Sequence, residues 1–344
     1  VFSKAPLENL EIVNPLLNLG GSVRLIEPLP YKSTNILSHD QVIKSILDED
    51  EHHQYDAFIF RGLEFCRVAA QHLHRRNVIA YLTDIPQTKS EIRNSHAASA
   101  INKFILSSWR IGLQTPQMIE LVSSEIHSVD ANAVVLFPPS IPDRFLEADS
   151  LSHSPAPNEK INIVYAGKLA RQWYINELID IYCEPVISHD CLIHVYGDKF
   201  HRYKDNPDFG KNLKHRLTTT QGVRWNSKIT RDELCNVLSN MQIGWCFRDP
   251  DMEESCLELS TKVLEFCARG VIPVLYPNAV NISILGSDYP YFATSTDEAL
   301  ETILLIRDAF RNNETHDLQR SIRDTVKPYL QGSVGRLILT KLLI

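Results

Sequence analysis

The chain has no long apolar run and no dense run of Lys or Arg, and its cysteines form neither a C-x-x-C pair nor a zinc spacing. Each absence removes a class. A membrane span needs roughly 20 consecutive apolar residues, and nothing here approaches that length. No signal-peptide pattern is visible either; Val1-Phe-Ser-Lys-Ala-Pro6 reads instead as the end of a first strand. With a net charge of −7 and no basic stripe, the chain is not expected to bind nucleic acid, whose phosphates call for a basic surface. Cys66, Cys183, Cys191, Cys235, Cys246, Cys256 and Cys267 mostly sit in apolar runs such as Ile243-Gly-Trp-Cys-Phe247, and read as reduced core residues of a cytoplasmic protein. Neither half shows a strand followed by Gly-x-Gly-x-x-Gly, which weighs against a dinucleotide-dependent oxidoreductase.

What is present is a repeated grammar. The 344 residues, 44% hydrophobic and 22% charged, suit a globular chain of two domains. Short apolar runs alternate with amphipathic segments, the pattern of parallel sheets with crossover helices. In the first half the expected strands are Val23–Ile26, Ala57–Phe60, Val78–Leu82, Phe104–Ser107 and Val134–Phe137, with helices over Leu7–Leu19, Gln41–Leu47, Leu63–Arg75 and Pro116–Ser123. In the second they are Ile161–Tyr165, Leu192–Tyr196, Val223–Trp225, Ile243–Phe247 and Ile272–Leu275, with helices over Tyr174–Cys183, Arg231–Asn240 and Ser260–Arg269. The Ser- and Pro-rich stretch Ser150–Glu159 reads as a linker. The expected layout is an α/β chain of two Rossmann-like, doubly wound domains, 1–150 and 151–326, facing across a cleft. Consecutive helices close the chain, and the last segment, 327–344, is expected to pack back on the first domain.

The most informative stretch runs from Leu259 to Leu275. Ser260 and Thr261 suit a helix start, Gly270 suits its end, and an apolar strand follows. Lys262, Glu265 and Arg269 fall at i, i+3 and i+7 and share a face. A cation, a carboxylate and free backbone N–H groups at one helix start can hold a diphosphate and a ribose together. The bland alternative is a solvated face carrying a Lys262–Glu265–Arg269 ladder, each pair worth a few tenths of a kcal/mol.

Several pieces, in order, resemble GT-B retaining glycosyltransferases, the large group that uses nucleotide sugars. Ile161-Asn-Ile-Val-Tyr-Ala-Gly-Lys-Leu169 resembles that family's first strand of the donor domain, and Ile193-His-Val-Tyr-Gly-Asp198 the next. Val223–Leu234 resembles the segment that follows, and Ser260–Val274 the diagnostic Lys-then-Glu helix with its Gly-x-x-Pro-Val strand. The first half matches more loosely, through Phe60–Leu63, Ile105–Ser108, Leu113–Met118 and Val135–Ser140.

The resemblance implies transfer of a sugar, with retention, from a UDP- or GDP-sugar to a glycan or lipid-linked acceptor in polysaccharide or envelope assembly. It implies no cofactor and no bound metal, because protein cations and helix dipoles take the charge of the leaving diphosphate. It assigns Lys168, after Gly167, and Lys262 to the diphosphate, with Arg171 the alternative to Lys168. Ser260 and Thr261 would add hydrogen bonds, and Glu265 would accept from the ribose hydroxyls. Asp84, or Thr83 before it, would face the transferred sugar at the end of the Val78–Leu82 strand, the plain alternative being a helix cap. The family's second Glu, eight positions before Glu265, is Leu257 here, so Glu253, Glu254 and Cys256 become the candidates for the donor sugar. Trp173, Trp225 and Trp245 read as core, with Trp225 able to border a base pocket. Competing readings are an epimerase or hydrolase of the same fold and a catalytically silent sugar-binding homologue. Peripheral membrane contact, at the inner face of the plasma membrane, would follow from a lipid-linked acceptor.

Overall fold

The computed structural model describes residues 38–73, 77–130, 132–147, 155–156 and 159–342. The strand expected at Val23–Ile26, the helix at Leu7–Leu19 and most of the Ser150–Glu159 linker lie outside them. The chain divides into two compact units between Phe137 and Pro138.

Among the described residues the first unit holds a parallel sheet in the order β1-β2-β3-β4, made of Phe58–Arg61, Val78–Tyr81, Arg110–Leu113 and Val134–Leu136. Helices over His39–His53, Leu63–Ala69, Lys89–Asn94, Ala97–Leu106 and Pro116–Glu125 surround it. One expectation fails. Phe104–Ser107 is not a strand, because Ala97, Ala100, Ile101 and Phe104 are buried at the spacing of one helix face. The helix therefore runs on to Leu106, which is exposed, and the strand comes after the turn at Ser108 (φ 59°).

The second unit holds a parallel five-stranded sheet in the order β7-β6-β5-β8-β9. These strands are β5 Ile161–Ala166, β6 Cys191–Tyr196, β7 Val223–Asn226, β8 Ile243–Trp245 and β9 Ile272–Val274. The expected helices occur at Ile175–Cys183, Arg231–Leu238 and Thr261–Ala268, and the sequence reading missed Phe209–Thr219 and Ala279–Leu285. The tail forms helices Thr296–Arg311, His316–Thr325 and Gln331–Leu342.

The boundary differs from the one read at residue 150. Ile141 and Phe145 are fully buried in the core of the second unit, so the segment that carries them belongs there. The helix Gln331–Leu342, expected to pack back on the first domain, is grouped with the second unit. Its start is tied by an Ile141–Leu330 bridge and by the Gly332 N–H donating to Asp143 Oδ1 at 3.0 Å. No helix among the described residues is long and apolar enough to cross a membrane, and all seven cysteines are free, only Cys183 being exposed.

The strand order reverses between β5 and β8. Beyond the carboxyl ends of those two strands a crevice opens in folds of this kind, and ligands bind there.

Candidate functional site

Three chain segments meet at that switch point. β5 is followed by Gly167 and Lys168. Gly167 is pressed by its neighbour: a Cβ on Gly197, at the end of β6, would stand 2.1 Å from the Gly167 carbonyl oxygen, so only glycine fits there. The hydroxyl of Tyr165 donates to the Lys168 carbonyl and fixes the turn. A 3-10 turn, Arg171–Trp173, follows and is fastened to the end of β8. The Asp249 N–H donates to the Gln172 carbonyl at 3.1 Å, and the Trp245 indole donates to the Trp173 carbonyl at 3.3 Å.

The second segment runs from β8 through Arg248 into the short helix Pro250–Glu253. Arg248 is 8% exposed and Glu253 1%. The Arg248 Nε donates to Glu253, whose other oxygen accepts from the Asn278 amide, and Arg248 Nη2 lies 3.3 Å from Cys256 Sγ. Burial works against the arginine's charge, but Glu253 and Cys256 outweigh it and hold its pKa above the ordinary value. The sequence reading expects no Asp-x-Asp motif, but Asp249-Pro-Asp251 is one. Asp249 spends its carboxylate as a cap, accepting from the Asp251 N–H at 3.1 Å.

The third segment is the helix Thr261–Ala268. Val263, Leu264, Phe266, Cys267 and Ala268 are buried, and Phe266 packs where a Cβ on Gly244 of β8 would come within 2.2 Å of its ring. The chain leaves the helix through Gly270 at φ 68°, a left-handed conformation suited to glycine. Packed this way, the helix sends Lys262 toward β5. Its ammonium lies 4.0 Å from the centre of the Tyr165 ring and 5.3 Å from that of Trp173. The guanidinium of Arg248 lies 4.9 Å from the same Trp173 ring. Burial, with Arg248 nearby, pushes the Lys262 ammonium down to about 8, against the opposing pull of Cys246, Glu253 and Glu265. Glu265 is 6% exposed and pairs with Arg231 at 3.4 Å. Burial raises its carboxyl above the usual range, Arg231 and Lys262 resisting.

The bland reading of a solvated ladder thus gives way: Glu265 and Arg269, the latter 3% exposed, are buried, and the partner of Glu265 comes from another helix. Other expected residues are used differently. Arg171 is held bidentately by Asp205 at 2.9 Å and lies 4.0 Å over Tyr203, so its charge is committed at the surface. Glu253 is 1% exposed, with one oxygen on Arg248 and the other on Asn278, while Glu254 is exposed. Ser260 sits at the helix N-cap without a side-chain cap bond, and Thr261 begins the helix. Lys168 is exposed at the strand end. In the first unit, Asp84 Oδ1 accepts from the Leu63 N–H at 2.8 Å, at the start of helix Leu63–Ala69, which gives it a capping role. Trp225 donates through Nε1 to the Gly197 carbonyl at 2.9 Å.

Arg248, Asn278 and the two cations over the Trp173 ring are what sequence reasoning missed. A buried arginine following an apolar strand was the available signal for the first.

Neither a family model nor any curated protein matches the sequence. Solved structures do resemble it. HepE from Anabaena, in complex with UDP and glucose, superposes with a TM-score of 0.66 at 11% identity over 96% of this chain and 89% of its own. A glycosyltransferase from Rickettsia africae gives 0.69 at 12% identity, over 99% and 88%. WaaG, a glycosyltransferase involved in lipopolysaccharide biosynthesis, gives 0.59 at 12% identity, over 100% and 98%. With its two parallel α/β units and these neighbours, the chain has the GT-B fold of glycosyltransferases.

Proposed function

We propose that this chain is a retaining, metal-independent hexosyltransferase. It moves a sugar from a nucleoside-diphosphate donor, UDP-linked before GDP-linked, to a glycan or lipid-linked acceptor in polysaccharide or envelope synthesis. The observation that carries the reading is the convergence of Lys262 and Arg248 over one aromatic ring at the β5/β8 switch point. The half-buried Lys262 and the buried, Glu253-paired Arg248, at the ends of β5 and β8, suit a diphosphate. HepE binds UDP and UDP-glucose on the same fold.

In such a transfer the bond between the anomeric carbon and the diphosphate breaks, and negative charge grows on the leaving oxygens. Lys262, half-buried, and Arg248, 8% exposed, stabilise that charge, and a fixed, partly buried cation counts for more than one in solution. Lys168, exposed at the turn, supplies a third positive charge. Glu265, held by Arg231, offers carboxylate oxygens to ribose hydroxyls. No cofactor is called on.

A thermal-shift panel of UDP, GDP, ADP and NAD tests the donor class: UDP is expected to stabilise the chain, and a response to NAD alone overturns the reading. Incubation with UDP-sugars and candidate acceptors should release UDP, equally with and without EDTA, and leave the anomeric configuration unchanged by NMR. A silent sugar-nucleotide-binding homologue is a second reading, favoured by Leu257 and by the full commitment of Glu253. It predicts UDP-sugar binding with no UDP release under any acceptor.

A further inference from the structure

We infer that Trp173 is a positioning residue of the donor site, its indole ring keeping Lys262 close to the Glu253-paired Arg248 before a diphosphate arrives. The inference rests on the nucleotide reading above. Glu253 pairs with Arg248 and eases its repulsion of Lys262, but Arg248 still weighs on the ammonium more than Glu253 relieves it. Here the ammonium and the guanidinium lie 5.3 and 4.9 Å from the centre of one indole ring. The negative face of an aromatic ring attracts a cation, tryptophan most strongly, and more so away from water.

The surroundings fix the backbone of Trp173 and the guanidinium of Arg248, which leaves Lys262 as the cation that the ring helps to place. Its backbone is pinned to β8 through the Trp245 indole and, one residue earlier, the Asp249 N–H. Glu253 and Asn278 brace Arg248 from behind, and Tyr165 offers Lys262 a second ring at 4.0 Å. The indole nitrogen of Trp173 is buried without a hydrogen-bond partner. A buried donor left unpaired is costly and rare, so the residue is not there to place its N–H. Its neighbours use the π face. Lys262 accordingly stays within reach of the Gly167 turn, where a Cβ would stand 3.8 Å from its Cε. An arriving diphosphate finds both cations already in place instead of having to gather them.

The test must separate the ring's charge distribution from its shape. Site-specific incorporation of mono-, di- and trifluorinated tryptophan at residue 173 drains the ring's negative face and leaves its outline nearly unchanged. UDP and UMP are titrated calorimetrically against each chain. UDP affinity is expected to fall stepwise, by roughly five- to tenfold across the series, with UMP much less affected and the melting temperature steady. Trp173→Phe should retain UDP affinity within about threefold and Trp173→Leu should lose it, the two flanking the range of ring strength. If Trp173→Leu fails to fold, the fluorinated chains decide alone. UDP affinity indifferent to fluorination, or UDP and UMP falling in parallel, overturns the inference and leaves the donor reading standing. A wild-type chain that takes up no UDP removes both.

Discussion

At the scale of single residues, Lys262 carries the sharpest consequence because its charge is contested. Burial lowers its pKa to about 8, below the ordinary lysine value of 10.5. Between those values the folded chain binds fewer protons at this site than the unfolded chain does, so stability of the ligand-free protein rises with pH across that window. Diphosphate binding runs the other way, since it needs the ammonium, and UDP affinity should fall as pH climbs through about 8. Lys262→Met removes the charge and keeps the length. It should flatten the rise in stability, match or exceed wild type in urea denaturation at neutral pH, and weaken UDP at least about tenfold. A Met variant that keeps wild-type UDP affinity would return Lys262 to a packing role. Lys262 and Glu265 were legible because they sit three residues apart on one helix. Arg248 and Trp173 were not, because they meet only through the neighbouring of β5 and β8, and single-sequence spacing carries no record of strand order.

Elements place those residues, and two of them can be tested by a single atom or two. In β8, Gly244 leaves room for Phe266; a methyl group there would lie 2.2 Å from the ring and force the helix Thr261–Ala268 outward. Gly244→Ala should therefore cost about 1–3 kcal/mol in stability and reduce UDP affinity without touching any ligand-facing group, measured by urea denaturation and calorimetry together. In the first unit, Asp84 accepts from the Leu63 N–H at the start of a helix. Asp84→Asn keeps an acceptor oxygen and is expected to melt and turn over like wild type. Asp84→Ala loses the bond and about 1 kcal/mol. A collapse of turnover in the Asn variant alone would instead restore the catalytic role expected from the strand-end position. Most elements could be read from period and punctuation. Phe104–Ser107 could not: the apolar run Phe104-Ile-Leu106 fits a strand, and only the burial of Ala97, Ala100 and Ile101 on the same face shows that the helix continues through it. The boundary at residue 150 failed for a similar reason, since composition marks a linker but not the burial of Ile141 and Phe145 before it.

For the whole molecule, the groups proposed to hold the donor come from one unit. Gly167, Trp173, Arg248, Lys262 and Glu265 all lie beyond Pro138, and the first unit's candidate, Asp84, is occupied by a helix start. A ligand stabilises the part of a chain whose native form it requires. At roughly a hundredfold excess over its Kd, UDP should add about 2.7 kcal/mol to the second unit. The first unit, with its own sheet, gains nothing directly. Native-state hydrogen exchange on the intact chain resolves the two, because amides in core strands report the stability of their own cooperative unit. Added UDP is expected to slow exchange in β5, β8, β9 and the helix Thr261–Ala268, and to leave β1–β4 at their ligand-free rates. Slowing of equal size in β1–β4 would mean that the two units unfold as one, or that the first supplies donor contacts of its own. Ligand-free exchange of Gly244→Ala separates those cases: units that unfold as one exchange faster in β1–β4 as well, whereas with donor contacts alone β1–β4 keep their wild-type ligand-free rates.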